Sequence, residues 1–264
     1  MAFAKVQTPP DIVISSGTGN TATISPVNPV TTGNTIVGYC ILQNNAATGL
    51  TVVDNNAVPA NAVLLGIDTL SSQERYCIFW KTNVTGSPTS YTATASGFTA
   101  GTLLMWMEEY SGFTSGAVGN GTGFANLNST TGANSMVTSS VTTTSNGDFV
   151  WSCGHVTLGT DALTAGTVPA FTLEQNRSAG LLVTAWTTQA TAGPIRGTWQ
   201  AAGTSSIAVL GVLAVTQTAT SGPTGGMLLG ARVPWSLAVP WYATDRIIRN
   251  RVINRRGLFK PLKW

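Results

Sequence analysis

Two acids stand side by side at Glu108 and Glu109, a single histidine stands at 155, and three cysteines lie at 40, 77 and 153. These are the side chains with which the chain could do chemistry. Paired carboxylates serve glycosidases when both face one bond, but neighbouring side chains of a strand point to opposite faces. In the apolar run TLLMWMEEY (102–110) the two acids therefore cannot flank one substrate. The expectation is that one meets solvent and the other is partly buried with a hydrogen-bond partner. A Ser-His-Asp arrangement would have to use His155, yet no GxSxG is present, and VWSCGHV reads as a strand entering a turn. Asp54, Asp68, Asp148 and Asp161 are scattered singly with no DxDxDG loop to hold calcium. The cysteines have no CxxC spacing, and each sits in an apolar run (GYCIL, RYCIF, VWSCG), as small buried reduced residues do. GNGTG (119–123) lacks the Lys-Ser/Thr of a phosphate-binding loop and reads as turns. The sequence thus points to no catalytic residue, no metal site and no cofactor, and the chain is expected not to be an enzyme.

The elements that must position these residues are strands. Charged residues make up only 9 % of the 264, against roughly 25 % in an ordinary soluble domain. Thr, which favours strands, and Gly and Asn, which favour turns, stand in their place. Strand-like runs recur at 11–16, 34–43, 49–54, 62–70, 75–82, 90–96 and 102–110. Further runs follow at 136–144, 148–156, 170–175, 180–188, 197–202 and 206–217. Many alternate, as SYTATAS (90–96) does, which suits a half-buried strand. No 3.6-residue period appears before about residue 240. The reading is an all-β, antiparallel jelly-roll-like β-sandwich over 1–222, followed by an extended basic C-terminal arm over 223–264 that contains a short helix. The stretch 114–135 is read as a long glycine- and asparagine-rich surface loop, with a recognition loop as the alternative.

Charge divides the chain in two. Before residue 225 five bases face nine acids, a net of −4, and from there eight bases face Asp245 alone, a net of +7. A split of this kind suggests an interaction tail. VPW occurs twice, at 233–235 and 239–241, and prolines so close together rule out a continuous helix there. The segment reads as an arm that lays Trp235 and Trp241 against a partner. Thr244 can then cap a helix from Asp245 to Arg256, ended by Gly257. Arg246, Arg249, Arg251, Arg255 and Arg256 spread around that helix among Ile and Val, with Phe259 and Trp264 beyond. Mixed apolar and cationic faces suit a helix wedged between protein partners better than one lying free on a surface. No apolar export segment opens the chain, and no run of 18 apolar residues could span a membrane, so synthesis in the cytoplasm without membrane contact is expected.

Glu109-Tyr110-Ser111-Gly112 after an apolar strand is similar to the "EYSG" of a class of jelly-roll domains found in bacteriophage structural proteins and bacterial surface proteins. VTTTSNGDFVWSCG resembles the same class's segment in which an aspartate, here Asp148, opens the next strand. TTGNTIVGYCI and GLTVVDNN are similar to its paired early strands. The resemblance covers roughly residues 10–217, leaves the tail outside, and brings no catalytic residue with it. It implies a sandwich used for display, adhesion or capsid decoration.

Two functional expectations follow, with a third resting on fold analogy. The first is a phage virion structural protein, a capsid decoration (cement) protein or a head- or tail-attached fibre. It would form a homo-oligomer such as a trimer, with the arm docked on neighbouring subunits, the major capsid protein or a tail or portal component. The second is a jelly-roll capsid shell subunit whose basic arm binds packaged nucleic acid. The third is a lectin-like carbohydrate-binding module.

Overall fold

The computed structural model describes residues 2–8, 13–17, 20–43, 47–67, 74–97, 101–128, 136–158, 162–166, 169–177, 182–201 and 207–217. All regular structure among them is strand, and every pairing is antiparallel. In chain order the first nine strands are β1 (Ala4–Gln7), β2 (Val13–Gly17), β3 (Thr21–Ile24), β4 (Thr35–Leu42), β5 (Gly49–Asp54), β6 (Pro59–Ile67), β7 (Arg75–Lys81), β8 (Tyr91–Ser96) and β9 (Gly101–Ser111). The second half holds β10 (Val118–Asn128), β11 (Met136–Val137), β12 (Val141–Thr142), β13 (Asp148–Leu158) and β14 (Leu163–Ala165). It closes with β15 (Thr172–Arg177), β16 (Leu182–Gln189), β17 (Pro194–Ile195), β18 (Thr198–Ala201) and β19 (Ile207–Thr216).

The first nine strands form one curled sheet in the order β1-β9-β4-β7-β6-β5-β8-β3, with β2 also on β9. The curl folds β3, β5 and β8 over β4, β7 and β9 and closes a first core of Ile36, Cys40, Leu42, Cys77, Phe79, Tyr91, Met105 and Met107. Alternation explains the curled-over layer. In β8 Tyr91, Ala93 and Ala95 are buried while Thr92 and Thr94 face out. The outward threonines meet cross-strand partners, and the Thr23 and Thr92 hydroxyls lie 2.8 Å apart.

β4 does not alternate, because every residue of it is buried. Its even-numbered apolar side chains enter the first core, while Val37, Tyr39 and Ile41 enter a second. That second core lies between the sheet of β4, β7 and β9 and a five-stranded sheet, β10-β19-β13-β16-β15. A strand covered on both faces must be apolar throughout. β19 behaves likewise, sending Val209, Leu213 and Val215 to the second core and Ala208, Leu210, Val212 and Ala214 to a third. The third core is roofed by the short sheets β11-β18-β14 and β12-β17, with Trp199 at its centre. The antiparallel all-β class expected from the sequence is what is observed, as curled sheets packed face to face around three cores.

The expected loop at 114–135 is corrected. Val118–Asn128 is an eleven-residue strand paired with β19 along its whole length, and residues 129–135 lie outside the described residues. The GNGTG glycines are not turns but strand positions chosen for close approach. A β-carbon on Gly119 would run into the indole of Trp80, and one on Gly123 would stand 2.7 Å from the Ser139 carbonyl. Gly121, at φ +142°, lies at a β-bulge where the register with β19 slips by one residue.

Candidate functional site

The carboxylates can be followed oxygen by oxygen. β9 turns Glu108 towards the second core, where it is wholly buried. Its Oε2 accepts hydrogen bonds from the Tyr110 hydroxyl and the Trp151 indole nitrogen, both at 2.8 Å, and its Oε1 accepts one from Thr184 Oγ1 at 2.5 Å. Tyr110 shares the strand of Glu108, whereas Trp151 and Thr184 belong to β13 and β16 across the core. Burial raises the carboxyl above its usual range, and the three donors oppose the shift. Glu109 points the other way and is equally buried. It accepts from the Thr31 amide at 2.9 Å, from Asn34 Nδ2 at 2.5 Å and from Gln7 Nε2. The expectation that one acid of the pair meets solvent is therefore wrong: strand alternation separates them as predicted, but both faces of β9 are covered.

Asp148 opens β13, as the resemblance implied, and works as a turn cap. Its Oδ2 accepts from the Thr144 and Ser145 amides at 3.0 and 2.9 Å, and its Oδ1 accepts from the Gln217 amide at 2.9 Å. Asp54 does the same for the β5–β6 turn, taking the Asn56 and Val58 amides at 2.8 Å each. Asp68 and Asp161 lie outside the described residues. Cys40, Cys77 and Cys153 are buried and unpaired, as expected. Cys40 and Cys77 are direct cross-strand partners, and burial pushes the Cys77 thiol up to about 12.

His155 stands on β13 facing the second core. Its Nδ1 lies 3.2 Å from the Tyr76 hydroxyl and 3.8 Å from Glu74 Oε2, and Tyr76 donates to that same oxygen at 2.5 Å. Gln43 Nε2 donates to the other Glu74 oxygen at 2.8 Å. Glu74 is the residue that sequence reading passed over. Its one visible signal was an acid placed directly before the apolar run RYCIF.

An open groove of about 560 Å³ lies against the outermost short sheets, lined among others by Pro169, Gln189, Pro194, Ile195 and Arg196. Among the described residues no aromatic ring lines it. Among the described residues no three His, Cys, Asp or Glu side chains gather as metal ligands, and no helix is long and apolar enough to cross a membrane. The sequence-designated docking residues Trp235, Trp241, Arg246, Arg249, Arg251, Arg255, Arg256, Phe259 and Trp264 lie outside the described residues, as does the expected helix at 245–256.

No family model and no curated protein matches the sequence. Among solved structures the chain is similar to the major capsid protein P2 from bacteriophage PM2, at 10 % identity and a TM-score of 0.25 over 81 % of this chain and 96 % of that one. It is also similar to the N-terminal CBM22-1-CBM22-2 tandem domain from Paenibacillus barcinonensis Xyn10C, at 12 % identity and a TM-score of 0.22 over 81 % of this chain and 91 % of that one.

Proposed function

We propose that the chain is a non-enzymatic structural protein of a phage virion, a capsid decoration or fibre component whose jelly-roll-like body is held in place by its C-terminal arm. The observation that carries this reading is the disposition of charge. Asp54, Glu74, Glu108, Glu109 and Asp148 are all buried, and each accepts hydrogen bonds that hold a turn or join two strands. Acids committed in this way build a rigid body. The sequence keeps its concentrated positive charge for 245–264. Within the arm over 223–264, Trp235, Trp241, Phe259 and Trp264 serve as aromatic anchors and the arginines as polar contacts. The body assembles as a homo-oligomer by symmetric contacts. Among the described acids only Glu174 is not classed as buried, and it is already paired with Lys5. The arginines take backbone carbonyls or carboxylates, on a neighbouring subunit or on another virion protein such as the major capsid protein.

The concentrated positive charge of 245–264 favours one second reading, in which the arginines neutralise nucleic-acid phosphates inside a capsid shell. Mass spectrometry of purified particles tests the first reading. Hundreds of copies per particle fit decoration, single digits to tens fit a fibre or tail part, and absence from particles ends the proposal. Deleting 245–264 separates the two readings. Lost particle attachment with no change in nucleic-acid affinity supports docking on protein. Lost, steeply salt-dependent nucleic-acid binding supports the genome arm.

A further inference from the structure

The polar chain Gln43–Glu74–Tyr76–His155 crosses the second core from one inner sheet to the other. Its proton order is fixed by geometry. The Tyr76 hydroxyl has one hydrogen, and at 2.5 Å from Glu74 Oε2 that hydrogen goes to the carboxylate. The Tyr76 oxygen can then only accept from His155, so the hydrogen of that 3.2 Å contact sits on Nδ1. Hydrogen bonds thus run in one direction, from imidazole to phenol to carboxylate. A second proton on the imidazole places a cation 3.8 Å from Glu74, where the side chains are only 17 % and 4 % exposed and water screens little.

We propose that His155 is a pH-operated clasp between the two inner sheets, gripping the Glu74–Tyr76 end of the first sheet when protonated and loosening it when neutral. Histidine is the side chain that changes charge between about pH 5 and 8, and this one is the chain's only histidine. Among the described residues Glu74 lies against it as a charged partner. β7 contributes Tyr76, with Cys77 and Arg75 turned to the opposite face by strand alternation, and β4 contributes Tyr39. β13 itself adds Cys153, whose thiol burial pushes up and keeps neutral. Leu182 of β16 and Val209 of β19 flank the ring, and Phe124 of β10 lies against Tyr76. On β15 the Cα partner of Leu182 is Arg177. Glu108 titrates in the same core but is bonded further along, to Trp151 and Thr184.

The full chain and two variants, His155→Gln and the isosteric Glu74→Gln, are melted between about pH 5.5 and 8. Glutamine at 155 can still donate to Tyr76 but never becomes charged. The parent is expected to melt about 2–4 °C higher at the acidic end once slopes common to all three proteins are subtracted. Each variant should lose that increment. A variant that keeps the whole increment overturns the clasp. Should either variant fail to fold, NMR of the parent decides. The imidazole signals must titrate together with the amides of residues 74–76, and a titration that leaves those amides still overturns the proposal.

Discussion

The first and second cores bury similar numbers of side chains, yet they are built differently. The first is filled by aliphatic, sulfur-containing and small residues such as Ile36, Cys40, Val52, Cys77, Ala93 and Met105, with Phe79 and Tyr91 as its large rings. The second is aromatic. Tyr39, Tyr76, Trp80, Trp106, Tyr110, Phe113, Phe149 and Trp151 meet there, with Phe149 in contact with Phe3, Tyr110, Phe113 and Trp186. The second core is also crossed by polar bridges centred on Glu108, on Glu74 with His155, and on Glu174 with Lys5 and Trp186. The first core closes one sheet on itself, so chain connectivity limits how its strands can meet. The second joins two separate sheets, and apolar burial alone is non-directional and fixes no registration between them. Rings with preferred geometries and hydrogen bonds with fixed partners supply the missing direction.

The largest effect is expected where that direction is concentrated. Glu108→Ala leaves the Trp151 indole, the Tyr110 hydroxyl and Thr184 without their acceptor in a dry core and removes buried volume as well. Chemical denaturation should show a loss of about 3–5 kcal/mol. Glu108→Gln behaves differently. Its oxygen can take Trp151 and Tyr110 while its NH₂ donates to Thr184 Oγ1, so the cost near pH 4 should stay within about 1 kcal/mol. The pH dependence follows from the raised carboxyl. An acid whose folded value lies above its unfolded value of about 4.3 contributes fully below that value and loses the contribution as pH rises through the folded one. Glu108→Gln should therefore gain on the parent as pH climbs from about 4 to 8. A constant difference over that range means the carboxylate is as well accommodated charged as neutral.

Much of this was legible in the sequence. All thirteen strand runs read from alternation and apolar clustering overlap observed strands, because strand spacing is a local property. That Asp148 opens a strand followed from the resemblance, whereas its capping of the Thr144 and Ser145 amides was not read from the sequence. β10 was not legible. Its glycines are turn signals by composition, and only the Trp80 indole and Ser139 lying against them, 39 and 16 residues away in the chain, show why side chains are excluded. That the second acid of Glu108-Glu109 is buried as well was missed for a related reason. Alternation predicts two faces, but how many layers cover those faces is decided by distant strands.

Gly119 gives the middle-sized test of the comparison. Gly119→Val drives a branched side chain into Trp80, which is buried in the second core. Overpacking of this kind costs about 1–3 kcal/mol. The loss should appear together with faster amide exchange along Val118–Asn128. A fully stable Gly119→Val protein would mean that β10 is not seated on the aromatic core.

The smallest effect is expected at the rim. Lys5 Nζ lies 2.5 Å from Glu174 Oε2, but the two side chains are 27 % and 14 % exposed, so water screens the pair. Lys5→Met keeps the apolar stem and removes only the charge, and it should cost about 0.2–1 kcal/mol, less in high salt. Glu174 retains its 2.6 Å hydrogen bond from the Trp186 indole in that variant. Glu174→Ala should therefore cost more than Lys5→Met, and both less than Glu108→Ala. If Lys5→Met equals Glu108→Ala instead, charge at the edge and not hydrogen bonding at the centre holds the two inner sheets in register.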